Sequence, residues 1–275
     1  MIEAGKYYLV MGLLDPESIA FHIGKTIESL GGKVIYTVQN DIIKRRFLDR
    51  AAALSDEERA KLDFRYCDIT DVEQVKELFG SIASLAGIVH SIAFANPRTL
   101  LGPEFHTDSI DDIKLAHHIS CASLATVLKH GAARLENGGS VVALTFDTTH
   151  VYPCYNWMGV EKAALEALVR ALARRHGRDN IRVNAVSAGP LATKAATKIP
   201  GFENMIHMWD AASPLKWDIV KDKQAVADGV AFLLSPFAAK ITGHTLVVDG
   251  GAAITAAPLC DWERPGGPPP PESTL

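Results

Sequence analysis

The sequence predicts an α/β fold: one doubly wound parallel sheet with helices on both faces. Three observations carry this. Short apolar runs alternate with segments of helical periodicity from end to end. The runs are apolar throughout instead of alternating with polar residues, as befits strands covered on both sides. The chain is 275 residues long, and no charge run or repeat divides it before a Pro- and Gly-rich end.

The elements follow in order. YYLVMG (Tyr7–Gly12) reads as the first strand, and a helix with Ile19, Ile23, Ile27 and Leu30 on one face comes next. KVIYTV (Lys33–Val38) is the second strand, followed by a helix over Ile42–Leu54. FRYC (Phe64–Cys67) is the third, with a helix from Val72 to Leu85. GIVHSIA (Gly87–Ala93) is the fourth, before a long helical stretch from about Ile110 to Leu135. SVVALTF (Ser140–Phe146), a helix over Tyr155–Arg175, IRVNAVS (Ile181–Ser187), a short helix near Gln224–Leu234 and TLVVDGG (Thr245–Gly251) complete the pattern. Residues 1–257 are expected to form a single domain, and 258–275, with its PPPP run, a disordered tail.

Composition narrows the function classes. Apolar residues make up 48% and charged residues 22%, with a formal charge of −4. That balance gives no reason to expect nucleic acid or an anionic membrane as a partner. Cys67, Cys121, Cys154 and Cys260 show neither CxxC pairing nor zinc spacing, so no metal site is expected. No signal-peptide pattern and no apolar run of membrane-spanning length occur, which points to a cytoplasmic protein.

Sheets of this kind bind ligands beyond the carboxyl ends of their strands. The first strand ends in GLLDPESIA (Gly12–Ala20), with one glycine where a dinucleotide fold usually has three. Gly12 allows a sharp turn. Ser18 stands at a helix-cap position, and the helix start offers free N–H groups and a positive dipole end to a pyrophosphate. Gln39, in VQND, is placed to hydrogen-bond ribose hydroxyls. Asp68, after the third strand, is placed to meet an adenine amino group or to cap the next helix. Lys44, Arg45 and Arg46 read as a solvated helix face, with contact to a 2′-phosphate as the alternative.

YNWMGVEK (Tyr155–Lys162) holds a tyrosine and a lysine seven positions apart. On a helix, seven residues bring them to within ~20° of one face, about 10.5 Å apart along the axis. The lysine leans back toward the tyrosine, so a phenol and an ammonium can converge on one ligand. Spacing alone also fits an interfacial tyrosine and a solvated lysine.

Seven motifs together make the chain similar to a known family. They are SIAFHI (Ser18–Ile23), QND (Gln39–Asp41), CDI (Cys67–Ile69), VHSIAFA (Val89–Ala95), PCYNWMGVEKAALEA (Pro153–Ala167), SAGPLAT (Ser187–Thr193) and VVDGG (Val247–Gly251). From Gly12 to about Gly251 the sequence resembles the enoyl-acyl carrier protein reductases of the FabI type. These are divergent short-chain dehydrogenases with a Rossmann-type fold. Ordinary members of that superfamily pair Tyr-x3-Lys with a serine thirteen residues earlier, whereas here Gly159 and Val142 occupy those positions. The FabI type pairs Tyr-x6-Lys, as found here.

The resemblance implies reduction of the 2,3 double bond of a trans-2-enoyl thioester, linked to acyl carrier protein or coenzyme A, in fatty acid biosynthesis. The implied cofactor is NADH, with NADPH also open, and the implied assembly is a homotetramer. Tyr155 would donate to the thioester oxygen, Lys162 would hold the nicotinamide ribose, and Phe146 would wall the site where many members carry a second tyrosine. Gly12, Ser18 and Ile19 would meet the pyrophosphate, and Gln39, Asp68 and Ile69 the adenosine. Ser91, Ile92 and Ala93 would border the cofactor, Ile119 would pack near the ring, and Leu191 and Thr193 would close over nicotinamide and phosphates. Ala95, Tyr155, Met158, Met205 and Met208 would meet the acyl substrate. The stretch Thr193–Leu215 resembles a short substrate lid, implying medium-chain substrates. Three departures, Phe146, Ala192 (for an arginine) and Lys194 (for a leucine), leave two alternatives open. One is a related reductase on another activated alkene or carbonyl; the other is a non-catalytic cofactor-binding paralogue.

Overall fold

A computed structural model describes residues 2–268 except 153, 261, 262 and 265, together with the backbone but not the side chains of 136 and 137. Seven strands form one sheet: β1 (Tyr7–Met11), β2 (Lys33–Val38), β3 (Phe64–Tyr66), β4 (Leu85–His90), β5 (Leu135–Thr145), β6 (Ile181–Ala188) and β7 (Thr245–Val248). Their spatial order is β3-β2-β1-β4-β5-β6-β7, and every pairing is parallel. This is the expected Rossmann-type sheet. The order reverses between β1 and β4, which are in register at Met11 and His90. Sheets of this order take their ligands at that reversal, in the crevice beyond the carboxyl ends of the strands.

The helices are α1 (Ile19–Ser29), α2 (Asp41–Ile43), α3 (Asp56–Ala60), α4 (Val72–Gly80), α5 (Ile110–His117), α6 (Ser123–Gly131), α7 (Asn156–His176), α8 (Phe202–Ala212) and α9 (Lys223–Leu234). On one face of the sheet, Ile23 and Ile27 of α1 and Val226 and Val230 of α9 pack over Val10, Val89 and Val186. On the other, Phe79 of α4, Leu128 of α6 and Leu165 of α7 pack over Leu9, Ile88 and Val141. Each such fully buried side chain contributes roughly 1.5–3 kcal/mol. A third apolar cluster sits at the carboxyl edge, under α8.

Four expectations change in detail. The single helix expected over Ile42–Leu54 is only α2, capped by Asn40, followed by a wide π-type turn over Lys44–Leu48. A separate helix, α3, then starts at Ser55. The long helix ending near Leu135 is split by a second π-type turn, His118–Ala122, and Leu135 already belongs to β5, pairing with Leu85. Strand β4 stops at His90, leaving Ser91–Ala93 as loop. The start of the C-terminal tail runs along the end of α8, where the Leu259 N–H donates to Ala211 O (2.9 Å) and the Arg264 guanidinium to Asp210 O (3.3 Å). Residues 269–271 of the PPPP run lie outside the described residues.

Candidate active site

The cofactor end of the crevice is built from the turns after β1, β2, β3 and β4. Gly12 has φ +93°, and a Cβ there would lie 2.2 Å from the Ser91 carbonyl oxygen. No other residue lets these two turns approach so closely. Ser18 caps α1, accepting the Phe21 N–H at 3.3 Å, while its hydroxyl donates to Asp15 O at 2.6 Å. Ile19 opens the helix and packs against the core. At the ends of β2 and β3, Gln39 Nε2 donates to Asp68 Oδ2 at 2.9 Å, so the two residues expected at the adenosine are joined. Asp68 also accepts the Thr70 N–H and hydroxyl. Burial alone would raise its carboxyl, but the hydrogen bonds from Thr70 and Gln39 outweigh it and hold the group below its usual range. Asp71, not Asp68, caps α4. Ile69 is buried beside them. Lys44 pairs with Asp49 and Arg45 with Asp41, while Arg46 lies over the Phe47 ring, so the basic run is a solvated face.

Ser91 and Ile92 are half-buried and Ala93 is exposed, just past β4. Ile119 lies in the second π-type turn, half-buried against the core. That turn has a consequence the sequence did not signal. The Ser123 N–H reaches back to His118 O, so Ile119 O is left for the Ser123 hydroxyl, which donates to it at 2.7 Å. The hydroxyl must then accept from His90 Nε2, 2.8 Å away. Burial, with Lys162 nearby, lowers the His90 pKa to about 3, leaving a neutral imidazole at the end of β4. Turns of this type recur at functional sites.

The expected catalytic residues lie about the end of β5. Lys162 is only 6% exposed, and its ammonium donates to Leu144 O at 2.8 Å. Burial lowers its pKa from 10.5 to about 8, against the opposing influence of Cys121 and Glu166. Tyr155 is not inside α7, as the sequence reading had it, but caps it. Its ring packs 4.8 Å from that of Phe146, the residue following β5. Burial pushes the phenol pKa up, so it stays protonated and able to donate. Tyrosine and lysine thus each pack against the end of β5, at Phe146 and Leu144 respectively. The backbone on both sides of Tyr155 is left-handed, with φ 67° at Cys154 and 36° at Asn156. Such conformations cost of order 1–3 kcal/mol each and persist where surrounding structure enforces them. Here the Asn156 amide donates to Gly102 O and to Glu104 O (3.1 Å), and the Trp157 indole donates to Phe105 O (3.0 Å). Glu161 is buried but faces α5, bonded to His117 Nδ1 at 2.7 Å.

Around the phenol stands a packed apolar cluster. Phe146 also packs against Tyr152 (5.0 Å) and Trp209 (5.3 Å), and Ala95, Leu100, Met158, Phe202 and Met205 complete the cluster. Residues 202, 205 and 209 share the inner face of α8, while Met208 is 41% exposed and stands outside the cluster. Tyr152 is a member the sequence reading missed. Its hydroxyl donates to Asp147 Oδ2 at 2.6 Å. Leu191 packs into the core on the α1 and α9 side of the sheet, and Thr193 accepts the Ala196 N–H at 3.1 Å. Among the described residues no group of three or more His, Cys, Asp or Glu side chains could hold a metal ion, and no helix is long and apolar enough to cross a membrane.

A parallel sheet of this order with a glycine-tight turn at its reversal is the Rossmann-type architecture shared by short-chain reductases. Residues 12–253 match the model of the family described as enoyl-(acyl carrier protein) reductase. The chain is 36% identical over 257 residues to the NADH enoyl-[acyl-carrier-protein] reductase FabI of Bacillus subtilis (strain 168), covering 92% of this chain and 97% of that one. It is 33% identical to the NADH FabI of Escherichia coli (strain K12) over 258 residues, 92% of this chain and 96% of that one. To the NADPH FabI of Staphylococcus aureus (strain MRSA252) it is 36% identical over 252 residues, 90% and 96% of the two chains. The chain belongs to the enoyl-(acyl carrier protein) reductase family.

Proposed function

We propose that this protein reduces the 2,3 double bond of a trans-2-enoyl thioester, carried by acyl carrier protein, with NADH, in fatty acid biosynthesis. The observation that carries the reading is that two buried groups lie about the end of β5, the Lys162 ammonium bonded to Leu144 O and the Tyr155 ring packed on Phe146. The residues present fit a dinucleotide: a capped helix start faces the reversal of the sheet, a joined amide and carboxylate stand at the adenosine end, and a buried ammonium lies deeper in. Gly12, Ser18 and Ile19 would hold the pyrophosphate, and Gln39, Asp68 and Ile69 the adenosine. Ser91, Ile92, Ala93, Ile119, Leu191 and Thr193 would line the nicotinamide side. The Asp68 carboxylate disfavours a 2′-phosphate, and Lys44 and Arg45 are already paired, which favours NADH over NADPH.

A nicotinamide held there would supply hydride to C3 of the substrate, and C2 of the resulting enolate would then take up a proton from water. Tyr155, kept protonated by burial, donates to the thioester oxygen as negative charge gathers there. Lys162, freed from Leu144 O, holds ribose hydroxyls and favours the same anion electrostatically. Phe146, Met158, Met205 and Ala95 exclude water around the acyl group. The shortness of the Thr193–Leu215 segment, which carries α8, favours medium-length chains. We take the working form as a cytoplasmic homotetramer, to be checked by sedimentation.

The test is NADH absorbance in the presence of crotonyl or dodecenoyl thioesters. Turnover is expected, and Tyr155→Phe should lower kcat by about 10²–10³ while leaving the NADH Kd nearly unchanged. NADH binding without turnover on either thioester would refute the reading.

A further inference from the structure

We propose that Lys194 is a further cofactor-binding residue, whose ammonium meets the pyrophosphate of the dinucleotide. The inference rests on the cofactor reading above. The turn that faces the pyrophosphate is itself acidic, carrying Asp15 and Glu17 within three residues of the Ser18 cap. Two unopposed carboxylates there would repel a doubly charged pyrophosphate and cancel the attraction of the helix start. Both have lysine partners, and the two lysines are placed differently. Glu17 is paired with Lys223 of α9 at 2.6 Å, and that lysine is fully buried, so its pairing is internal. Asp15 is itself buried, yet its partner Lys194 is 46% exposed.

Lys194 follows Thr193 directly, in the segment after β6, and it joins three parts of the crevice. Its ammonium pairs with Asp15 of the turn after β1 and lies 5.7 Å from the centre of the Phe47 ring, in the segment after β2. An ammonium has three donors, and Asp15 takes one. With the side chain 46% exposed, the others remain available to a ligand. Asp15 is meanwhile fixed from within: its Oδ1 accepts the Glu17 N–H at 3.0 Å, and its carbonyl accepts the Ser18 N–H at 3.1 Å. The carboxylate therefore acts as a fixed post that stations the lysine at the mouth of the phosphate site.

The experiment measures binding of NADH, ADP-ribose and adenosine to the intact apo-protein by fluorescence and calorimetry, beside its melting temperature. Lys194→Met is expected to weaken NADH and ADP-ribose roughly 10- to 100-fold, to leave adenosine nearly unchanged, and to flatten the dependence of NADH affinity on salt. Lys194→Arg should restore most of the affinity. The pair Asp15→Asn with Lys194→Met removes the buried carboxylate along with its partner, so it keeps the test open if the single variant fails to fold. It should bind NADH as weakly as Lys194→Met. If the pair returns to wild-type affinity, Lys194 only neutralises Asp15, and the inference is overturned. It is overturned equally if Lys194→Met binds NADH normally at a lower melting temperature. A wild-type protein that binds neither NADH nor ADP-ribose would instead sink the cofactor reading, and this inference with it.

Discussion

Lys162 shows how one residue can be legible in sequence and yet differ in state. Its spacing from Tyr155 was readable, but that spacing implied two side chains on a shared helical face. In the fold, Tyr155 stands at the N-cap position just ahead of the helix and packs on Phe146, while Lys162 bonds Leu144 O. Spacing could not reveal this, because the left-handed backbone at Cys154 and Asn156 is imposed by the loop near Gly102, some fifty residues away in sequence. The folded-state pKa of Lys162, about 8, lies below the 10.5 of a free amine. Between these values the unfolded chain binds more protons, so this group makes stability rise with pH across that window, and its penalty is full below it. Urea midpoints of wild type and Lys162→Met, compared from pH 7 to pH 10.5, should show wild type gaining on the variant above about pH 8. Parallel profiles would contradict this. Tyr152 and His90 escaped the sequence reading for a related reason. Each is significant through a partner, Asp147 or Ser123, brought close only by the folded chain.

At the scale of elements, the regular core was readable and the irregular turns were not. Apolar runs marked all seven strands, most plainly the central ones, because a strand buried on both faces tolerates little else, while the edge strands β3 and β7 are partly exposed. The split of Ile42–Leu54 was signalled in part: Ser55 and Glu58 form a capping box, Ser-x-x-Glu, that announces a new helix. The two π-type turns have no comparable signature. The inner face of α8 was visible as apolar residues, but which methionine faces inward depended on where the helix begins. It begins after Gly201, at φ +74°, which sets Phe202, Met205 and Trp209 inward. Trp209 fastens this helix, since its indole donates to Asp249 O at 3.2 Å while its ring lies on Phe146 and Tyr152. Trp209→Phe keeps a ring but loses that donor. It should cost about 1–3 kcal/mol of stability and raise KM for the thioester, with the NADH Kd unchanged. Chemical denaturation and steady-state kinetics provide the two readouts.

For the whole molecule, one sheet serves two ends of a single crevice: acidic and amide groups beyond β2 and β3, and a phenol and ammonium beyond β5. The far end of the chain takes part. The Ser213 N–H bonds Trp209 O, the Leu215 N–H bonds Gly250 O, and the tail contacts Asp210 and Ala211, so the last turn of α8 is pinned from several sides. Its first turn has no side-chain cap. Deleting residues 259–275 should therefore leave NADH affinity intact but speed proteolytic cutting within α8, as limited digestion would show; unchanged digestion would argue against the pinning. The fastening is unequal: like a gangplank, α8 is moored by hydrogen bonds at its far end and only by the packing of Phe202 and Met205 near Gly201, so the Gly201 side is the one expected to yield first.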